Sequence, residues 1–586
     1  GTSSGSENTI VASGVTATSY VDSGLSNGTT YYYVVEAAGA AGTSAHSSEA
    51  SATPSSTGIA GLLWTGDASS AWNTTAVNWL NGVTATAYAD GDTVTFNDSA
   101  ANSTVTITNA IFPDYVLFDN ASLNYALNSS GGGIAGGTSL IKTNSGSLTL
   151  NGSNAYSGGT YLDGGTLVLN NASAAGGGII TLNAGTLTLG AVITNAMNVT
   201  GSATLLPGTV DYSDSPLLGS GLLNINITGG NTFSPQADMS GFSGTNELGV
   251  STGFYRFFGS MGSASAAFDL GTSTATMNNR NGGVTIALGS LAGGAGTTLS
   301  GASSINAPTI YSIGANNHDS TFSGEITDGD GTVAILKTGT GNWTITGANT
   351  YSGGTTLSNG TLVVNNAAGS GVGTGALTVS GGVVAGNGVI SGTVTVNSGG
   401  TLAPGTPFGT LTISNNLILA AGSITLTPVQ HLPLTNSAVK VSGTLTEGGT
   451  LNVTNSGSTA FAAGDTFTLF SAGAFSGAFG KFMLPSLSPG LAWNTSALNQ
   501  SGTLSVVALT SPVIGSVKVS NGNLVVRGTG GPDGLTYDVQ VTTNLISPLW
   551  TSVMTNQFDA GGNFIFSNTV SSGSPQFYYR LEVPSQ

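Results

Sequence analysis

Residues 337–367, KTGTGNWTITGANTYSGGTTLSNGTLVVNNA, repeat residues 142–172, KTNSGSLTLNGSNAYSGGTYLDGGTLVLNNA, at a constant offset of 195. Among the matched core positions the one prominent difference is Leu148 against Trp343. Short stretches alternate apolar with polar residues, and paired glycines interrupt them, which favours strands joined by turns. An ungapped internal match of this length indicates a chain built from repeated supersecondary units.

Shorter strand phrases recur through the middle of the chain. Each phrase is too small to bury its apolar face alone, whereas stacked coils share one continuous core. We therefore predict an all-β fold, with a right-handed parallel β-solenoid over 111–460 flanked by small antiparallel β-sandwich modules. The phrases, which begin with glycine, lie at 165–169, 185–189, 360–364, 375–379, 392–396 and 409–413.

The composition excludes several classes of protein. Charged residues are 6% of the 586 positions, and the formal net charge is −17. Hydrophobic residues at 39% argue against disorder, which needs low hydrophobicity with high charge. Because there are only nine Lys and Arg residues, nucleic acid is not an expected partner. Cysteine is absent, so we expect neither disulfides nor thiolate metal sites. We also expect no membrane insertion, because no apolar run is long enough.

The segments around the expected solenoid have different patterns. Residues 57–110 hold three of the six tryptophans and are predicted to cap the first coil. Residues 461–511 are predicted to be a closing unit at the other end. Residues 512–586 contain several short strand stretches separated by Asn-Gly, Asp-Gly and Gly-Gly turns, which predicts a small antiparallel β-sandwich.

The two copies resemble the autotransporter-associated β-strand repeat. The resemblance is carried by the phrases that begin at Lys142 and Lys337, with Asn144 in place of the usual glycine. It implies a secreted bacterial protein, extracellular or at the cell surface, with a β-solenoid passenger. Residues 1–56 resemble the second half of a fibronectin type III domain, with Tyr31 at the position of the corner tyrosine.

Residues that could carry catalysis or bind a metal are scattered. A β-helix enzyme acting on polysaccharides needs paired carboxylates or a basic cluster, and no two basic residues lie closer than nine positions in the sequence. The letters of a nucleophile elbow around Ser26 lack the helix that this motif requires. We read the Asp-Gly pairs at Asp90 and Asp328 as turns, with calcium binding as the alternative. The histidines lie in three segments, at His46, His318 and His431.

The repeated positions are expected to serve the fold. The tyrosine of each Tyr-Ser-Gly-Gly-Thr phrase should lie at an equivalent buried corner, with a sugar platform as the alternative. The aromatic stretch 254–258 is either an exposed contact patch or packed in the core. The residues predicted to have structural roles in the repeat are Lys142, Tyr156, Gly158, Gly159, Lys337, Tyr351, Gly353 and Gly354.

These patterns favour a non-enzymatic extracellular structural protein, a self-associating fibre or surface-layer component without cofactors. An incomplete N-terminal sandwich would leave strand edges open at 20–22 and 31–36, and open edges are templates for strand addition. The partner would then be a second copy. The alternatives are an adhesin that binds cell-surface glycans and a polysaccharide-acting β-helix enzyme. The candidate self-association residues are Tyr20, Tyr31, Tyr33, Trp550 and Tyr578.

Overall fold

A computed structural model confirms the predicted β-solenoid. It describes residues 1–5, 10, 11, 13, 29–39, 42–52, 61–208, 210, 212–249, 251–258, 262–405, 407–532, 534–559, 561–569 and 576–583. Over these residues the chain is all-β, and its main body is a parallel β-solenoid of about 16 turns with almost no helix. No helix of this described part is long and apolar enough to cross a membrane.

Successive coils stack strand on strand in parallel, along three faces. The first face contains Thr93–Asn97, Tyr115–Asp119, Ser139–Thr143, Thr160–Leu162, Ile180–Leu182, Met197–Val199, Leu217–Gly219, Thr309–Ile313, Val333–Lys337, Thr355–Leu357, Leu377–Val379, Val394–Val396 and Leu417–Leu419.

The second face is the longest, and the third is interrupted. The second contains Thr104–Ile107, Tyr125–Ser129, Ser147–Leu150, Thr166–Leu169, Thr186–Leu189, Ser202–Leu206, Leu222–Ile225, Thr245–Glu247, Ser320–Phe322, Asn342–Ile345, Thr361–Val364, Gly382–Gly386, Gly400–Pro404, Ile424–Gln430, Thr450–Asn455 and Lys481–Met483, with Thr435–Asn436 antiparallel beside it. The third contains Ala110–Ile111, Gly133–Gly136, Ala155–Tyr156, Tyr212–Ser213, Thr232–Pro235, Phe254–Phe257, Thr276–Asn281, Thr298–Ile305, Glu325–Thr327, Val389–Ile390 and Thr410–Ile413.

Alternation within the strands explains how the coils pack. In Thr166–Leu169 the two leucines are fully buried and the two β-branched residues point outward. Such alternation is expected of strands with one buried face. Coil length varies without breaking the ladders, because Ile180 pairs with Met197 whereas Val439 pairs with Phe470. The extra residues therefore lie in loops at the corners.

Four long strands run through a corner and join two faces. Gly262–Asp269 and Val284–Ala292 pair over both the first and second faces, with a register shift between Ser263 and Ala267. Ala438–Glu447 and Phe470–Gly477 join the third face to the first in the same way. The bulge provides the bend, because an irregular residue changes the direction of a strand.

A tryptophan cluster covers the N-terminal end of the solenoid. Gly61–Trp64 pairs in parallel with Thr93–Asn97 and antiparallel with Trp79–Asn81, which in turn pairs with Thr84–Thr86. The rings of Trp64 and Trp79 are 4.9 Å apart in an edge arrangement, and both are fully buried. Parallel pairing thus begins within 57–110, outside the predicted 111–460.

An antiparallel sheet covers the C-terminal end. Thr503–Ala508 lies between Thr466–Thr468 and Leu491–Asn494, and the helix Leu498–Ser501 precedes it. Aromatic rings fill this unit, with Phe461 5.1 Å from Trp493. The last parallel strand of the second face, Lys481–Met483, also lies inside 461–511.

Beyond the closing unit, two three-stranded antiparallel sheets enclose a second, small core, to which Ala492 of the closing unit also contributes. One orders Val513–Ser520, Asn523–Thr529 and Phe564–Thr569; the other orders Thr551–Gln557, Thr536–Thr542 and Tyr578–Glu582. Tyr537, Val539 and Phe566 are buried in this core. Near the N-terminus, Tyr31–Tyr33 pairs antiparallel with Ala50–Ala52, and Ala38–Gly39 with Gly42–Thr43.

Candidate functional site

The two repeats place a lysine in the interior of the solenoid at equivalent positions. Lys142 and Lys337 are 0% and 1% exposed. Lys337 Nζ donates to the carbonyl oxygens of the two residues that follow it, at 2.6 and 3.2 Å. Lys142 Nζ donates in the same way to the carbonyl oxygens of Thr143 and Asn144. Each ammonium therefore binds the backbone of the turn that follows its own strand.

Burial makes these lysines weaker bases. It lowers the pKa of both from 10.5 to about 8, and nearby carboxylates, Asp119 for Lys142 and Asp319 for Lys337, oppose part of this effect. Both amines remain protonated at pH 7, since that pH lies below the lowered pKa. They can therefore keep donating to the turn carbonyls under neutral conditions.

A buried asparagine joins neighbouring coils in each copy. Asn154 Oδ1 accepts from the amide of Ile134 in the preceding coil at 3.0 Å, and its Nδ2 donates to the carbonyl oxygen of Ala174 in the following coil at 2.7 Å. Asn349 makes the two corresponding bonds at 2.7 and 2.5 Å. Because both ends of each amide are bonded, the side chain is a well-satisfied buried polar group.

The repeated tyrosines lie in the core. Tyr156 and Tyr351 are fully buried, and their hydroxyls lie 2.6 and 2.5 Å from Thr160 Oγ1 and Thr355 Oγ1. Burial raises the pKa of both phenols, so they stay neutral. A sugar could not reach these buried rings. The two tyrosines therefore occupy buried positions, and the structure does not support the alternative of a sugar-binding platform.

The repeated glycines occupy positions where a side chain does not fit. A Cβ added to Gly158 or Gly353 would lie 2.4 Å from a carbonyl oxygen of the preceding coil. Gly159 and Gly354 have φ values of 93° and 82°, which L side chains rarely adopt. The lysine, asparagine, tyrosine and glycines together form one coil-locking motif, which occurs twice.

The two copies also match a known family of repeats. Both segments, 140–169 and 335–364, match the family model of the passenger-associated-transport-repeat. These two segments of the chain are thus similar to the passenger-associated-transport-repeat. Together with the solenoid, they support an autotransporter passenger repeat protein and suggest a secreted or surface passenger domain. No curated protein matches the chain.

The histidines do not converge on one site. His431 Nδ1 is 2.8 Å from Asp465 Oδ2, and His46 Nε2 is 2.6 Å from Glu36 Oε1. His318 lies between the strands Thr309–Ile313 and Ser320–Phe322, and its amide donates to Asn316 Oδ1. The described residues contain no group of three His, Cys, Asp or Glu side chains that could hold a metal. Residues 24–28, the elbow letters, lie outside the described residues.

The Asp-Gly carboxylates are bound to backbone amides. Asp90 accepts from the amide of Phe112, and Asp92 accepts from that of Ala89. Asp328 Oδ1 accepts from the amide of Val333 at 2.7 Å. These are contacts of turns and of neighbouring coils, as the turn interpretation of the sequence expects.

The N-terminal self-association residues occupy a bonded strand. Tyr31–Tyr33 pairs with Ala50–Ala52 on one side. On its other side the Tyr32 amide donates to the carbonyl oxygen of Gly1 at 2.8 Å, and the Gly1 amine donates back at 3.1 Å. The expected open edge therefore does not hold at Tyr32. Tyr20 lies outside the described residues.

Of the C-terminal candidates, Tyr578 lies on the second antiparallel sheet of the C-terminal part, and Trp550 directly precedes the strand Thr551–Gln557 of that sheet. The Arg580 guanidinium lies over the Trp550 ring at 4.5 Å from its centre, a cation–π contact. Tyr578 is half-buried opposite Thr542. Trp550 and Tyr578 thus already contact residues of that sheet.

A more exposed edge lies on the first C-terminal sheet. Val513–Ser520 is the outer strand of that sheet and pairs with Asn523–Thr529. Val517 and Val519 lie opposite Val526 and Leu524, on the face that forms the core, yet they are 58% and 67% exposed. The core face therefore continues into solvent along this edge. The strand stretches predicted in 512–586 did not reveal these exposed valines, because their exposure depends on how far the second sheet covers the first.

Proposed function

We propose that this chain is a non-enzymatic extracellular structural protein of a bacterial surface, whose copies associate through the edge strand Val513–Ser520. The observation that carries the proposal is the exposure of Val517 and Val519 on a core-facing side of an outer strand. An outer strand presents backbone groups for pairing, and exposed apolar side chains strengthen the contact.

The covered ends of the solenoid support this choice of contact. A parallel solenoid with bare ends could stack coil on coil between molecules. Here Trp64 and Trp79 lie at one end, and the antiparallel sheet with Trp493 lies at the other. Association through the antiparallel parts beyond those caps is then the favoured route.

The proposed assembly needs a second, different contact to become a fibre. Pairing of Val513–Ser520 with the same strand of a second copy is two-fold symmetric and closes as a dimer. We place the second contact in residues 1–56, which contain Tyr20, Tyr31 and Tyr33.

The proposal also includes three expectations about the fold. Residues 1–56 form a fibronectin type III-like module, the C-terminal sheets form a sandwich, and the coils of the solenoid are right-handed.

Lysine substitution of the two valines tests the first contact. Burying both valines at an interface should contribute about 3 kcal/mol per copy, and a lysine pair would remove it. Light scattering after gel filtration should show dimers or larger species for the wild type and monomers for V517K/V519K. The control V77K/V83K adds the same charge at exposed valines of the N-terminal cap and should assemble like the wild type.

The second contact has its own readout. Deletion of residues 1–56 should leave dimers and abolish longer filaments in negative-stain images. A wild-type protein that remains monomeric at about 100 µM, well above the Kd expected of a specific contact, would contradict the proposed function.

A further inference from the structure

The aromatic stretch 254–258 alternates between core and surface. Tyr255 and Phe257 are 1% and 0% exposed and point inward. Phe254 is 37% exposed, and Arg256 and Phe258 are half-buried. The stretch is therefore packed in the core on one side and exposed on the other. Its outward side chains, Phe254, Arg256 and Phe258, form a patch on the third face.

A second arginine joins this patch from the next coil. Arg256 pairs with Asn278, so Arg280 lies beside Phe258 on the neighbouring strand. Its guanidinium lies 5.0 Å from the centre of the Phe258 ring, and that of Arg256 lies 5.9 Å from the Phe254 ring. The sequence separates the two arginines by a whole coil, which is why sequence spacing alone did not show the pair.

Two adjacent cations are unusual in this chain. It has nine Lys and Arg residues against 26 Asp and Glu. Neither guanidinium forms an ion pair within the described part of the chain, where the arginine ion pair is Arg580 with Glu582. Arg256 Nε donates to Asn278 Oδ1 at 3.2 Å, which holds the guanidinium in place. Burial and then the charge of Arg280 lower the pKa of Arg256, a repulsion that a bound anion would relieve.

Hydroxyl groups flank the aromatic residue on both sides. The register places Thr232, Phe254, Thr276 and Thr298 in one row across four coils. All four side chains lie at the surface rather than in the core. This ring lies between hydroxyls, Arg256 lies two residues further along the same strand, and Arg280 lies beside Phe258 on the next strand. Such a surface can contact an apolar sugar face, sugar hydroxyls and a carboxylate together.

We propose that the patch formed by Phe254, Arg256, Phe258 and Arg280 binds the carboxylate of an acidic saccharide. Guanidinium groups bind carboxylates through paired, charge-assisted hydrogen bonds. The phenyl rings and the threonine row favour a sugar over a bare anion. This site is separate from the edge strand Val513–Ser520, so it can fail while the self-association proposal stands.

Calorimetry with short sugars of defined charge tests the site. Trigalacturonate should bind the full-length protein, and its affinity should fall as NaCl is raised, because the contact is electrostatic. R280Q should weaken binding at least tenfold, and R256Q/R280Q should abolish it. K440Q removes an equal charge from an exposed lysine elsewhere on the solenoid and should bind like the wild type.

Each further comparison decides one part of the proposal. Binding of maltotriose as tightly as trigalacturonate would show a neutral-sugar surface and overturn the role of the arginines. Equal binding of inorganic phosphate or acetate would show a simple anion site and overturn the saccharide. R280K keeps the charge on an exposed side chain and should lose only part of the affinity. If R280Q retains the wild-type melting temperature and still binds trigalacturonate fully, the proposal is wrong.

Discussion

At the scale of single residues, some polar groups in the interior of this solenoid have hydrogen-bond partners and others have none. Asn154, Tyr156 and Lys142 are buried, and each of their side chains has hydrogen-bond partners. A satisfied buried polar group costs little, whereas an unsatisfied one costs about 1–3 kcal/mol. The same three roles recur in the second repeat, so each prediction there can be checked twice in one molecule.

Removal of one buried hydroxyl should weaken the coil that contains it. Tyr351→Phe leaves Thr355 Oγ1 without its 2.5 Å partner, which should cost about 1–2 kcal/mol of local opening free energy. Tyr156→Phe should cost a similar amount in its own coil. Native-state hydrogen exchange of amides in Thr160–Leu162 and Thr355–Leu357 measures both effects. Tyr161→Phe, at the surface of the first of these strands, should leave exchange unchanged.

Glu447 is a buried acidic residue with a side-chain oxygen that lacks a partner. It is 5% exposed, and Oε1 has no hydrogen-bond partner. Burial raises the pKa of this carboxyl from 4.5 to about 7. The hydroxyls of Ser423, Thr425 and Thr427, in or next to the strand Ile424–Gln430 of the preceding coil, are also buried without partners. The coils around Glu447 therefore contain buried polar side-chain atoms without hydrogen-bond partners, whereas the two repeats do not.

The protonation of Glu447 should make stability depend on pH. The folded protein holds the proton above pH 4.5, where the unfolded chain has released it, so stability is highest below pH 4.5. It should fall as pH rises toward 7 by about 3 kcal/mol and then level off. Glu447→Gln should flatten this dependence in urea unfolding monitored from pH 4 to 8. The exposed replacement Glu325→Gln is the control, and a variant E447Q that keeps the full slope would contradict the assignment.

Much of the repeat chemistry could be predicted from residue identities alone. The fixed offset predicted that Lys142 and Lys337 play one role twice, because equal letters at equal spacing occupy equal positions in stacked coils. Their bonding partners could not be predicted. The acceptor of Asn154 Nδ2 is the carbonyl of Ala174, which depends on where the next coil places its backbone.

At the scale of elements, short phrases of alternating residues located strands such as Thr186–Leu189 and Thr410–Ile413. The long strands that cross corners were not predicted. Val284–Ala292 follows Gly282-Gly283 and begins with alternating residues, but its sequence does not show that the strand continues through a corner, where its pairing with Gly262–Asp269 shifts register. Arg256 and Arg280 were missed for the same reason, since irregular coil lengths hide which residues become neighbours.

Close approach of coils makes selected glycines irreplaceable. Gly353→Ala would place a Cβ 2.4 Å from a carbonyl oxygen in the preceding coil, and Gly158→Ala would do the same in its own coil. Each should cost more than about 2 kcal/mol, because the backbone must shift. Gly137→Ala is the matched control, since nothing lies within 4 Å of its added Cβ. Thermal melts followed by circular dichroism should separate the first two from the control.

At the scale of the whole molecule, successive strands stack in parallel along one axis. The pairing extends from Gly61–Trp64 to Lys481–Met483, a longer stretch than the 111–460 predicted from phrases. The paired strands that lie outside 111–460 at each end lack the repeat sequence, because there the coils pack against caps rather than against similar coils. Self-association and saccharide binding both depend on this frame but use different surfaces.

Stacking fixes how far apart the two repeats lie. Thr149 and Thr344 occupy matching places, and nine steps of parallel pairing separate their strands. The strands on this path are Ser147–Leu150, Thr166–Leu169, Thr186–Leu189, Ser202–Leu206, Leu222–Ile225, Thr245–Glu247, Gly262–Asp269, Val284–Ala292, Ser320–Phe322 and Asn342–Ile345. At about 4.8 Å per step, the two positions should be about 43 Å apart.

A pulsed dipolar measurement between spin labels on T149C and T344C tests the stacking most directly. The chain has no cysteine of its own, so the labels attach only at these two sites. Dilution with unlabelled protein removes distances between copies. The solenoid predicts one narrow distance distribution centred at about 43 Å. A distribution centred below about 30 Å, as an antiparallel meander that folds the repeats against each other would give, would contradict the account.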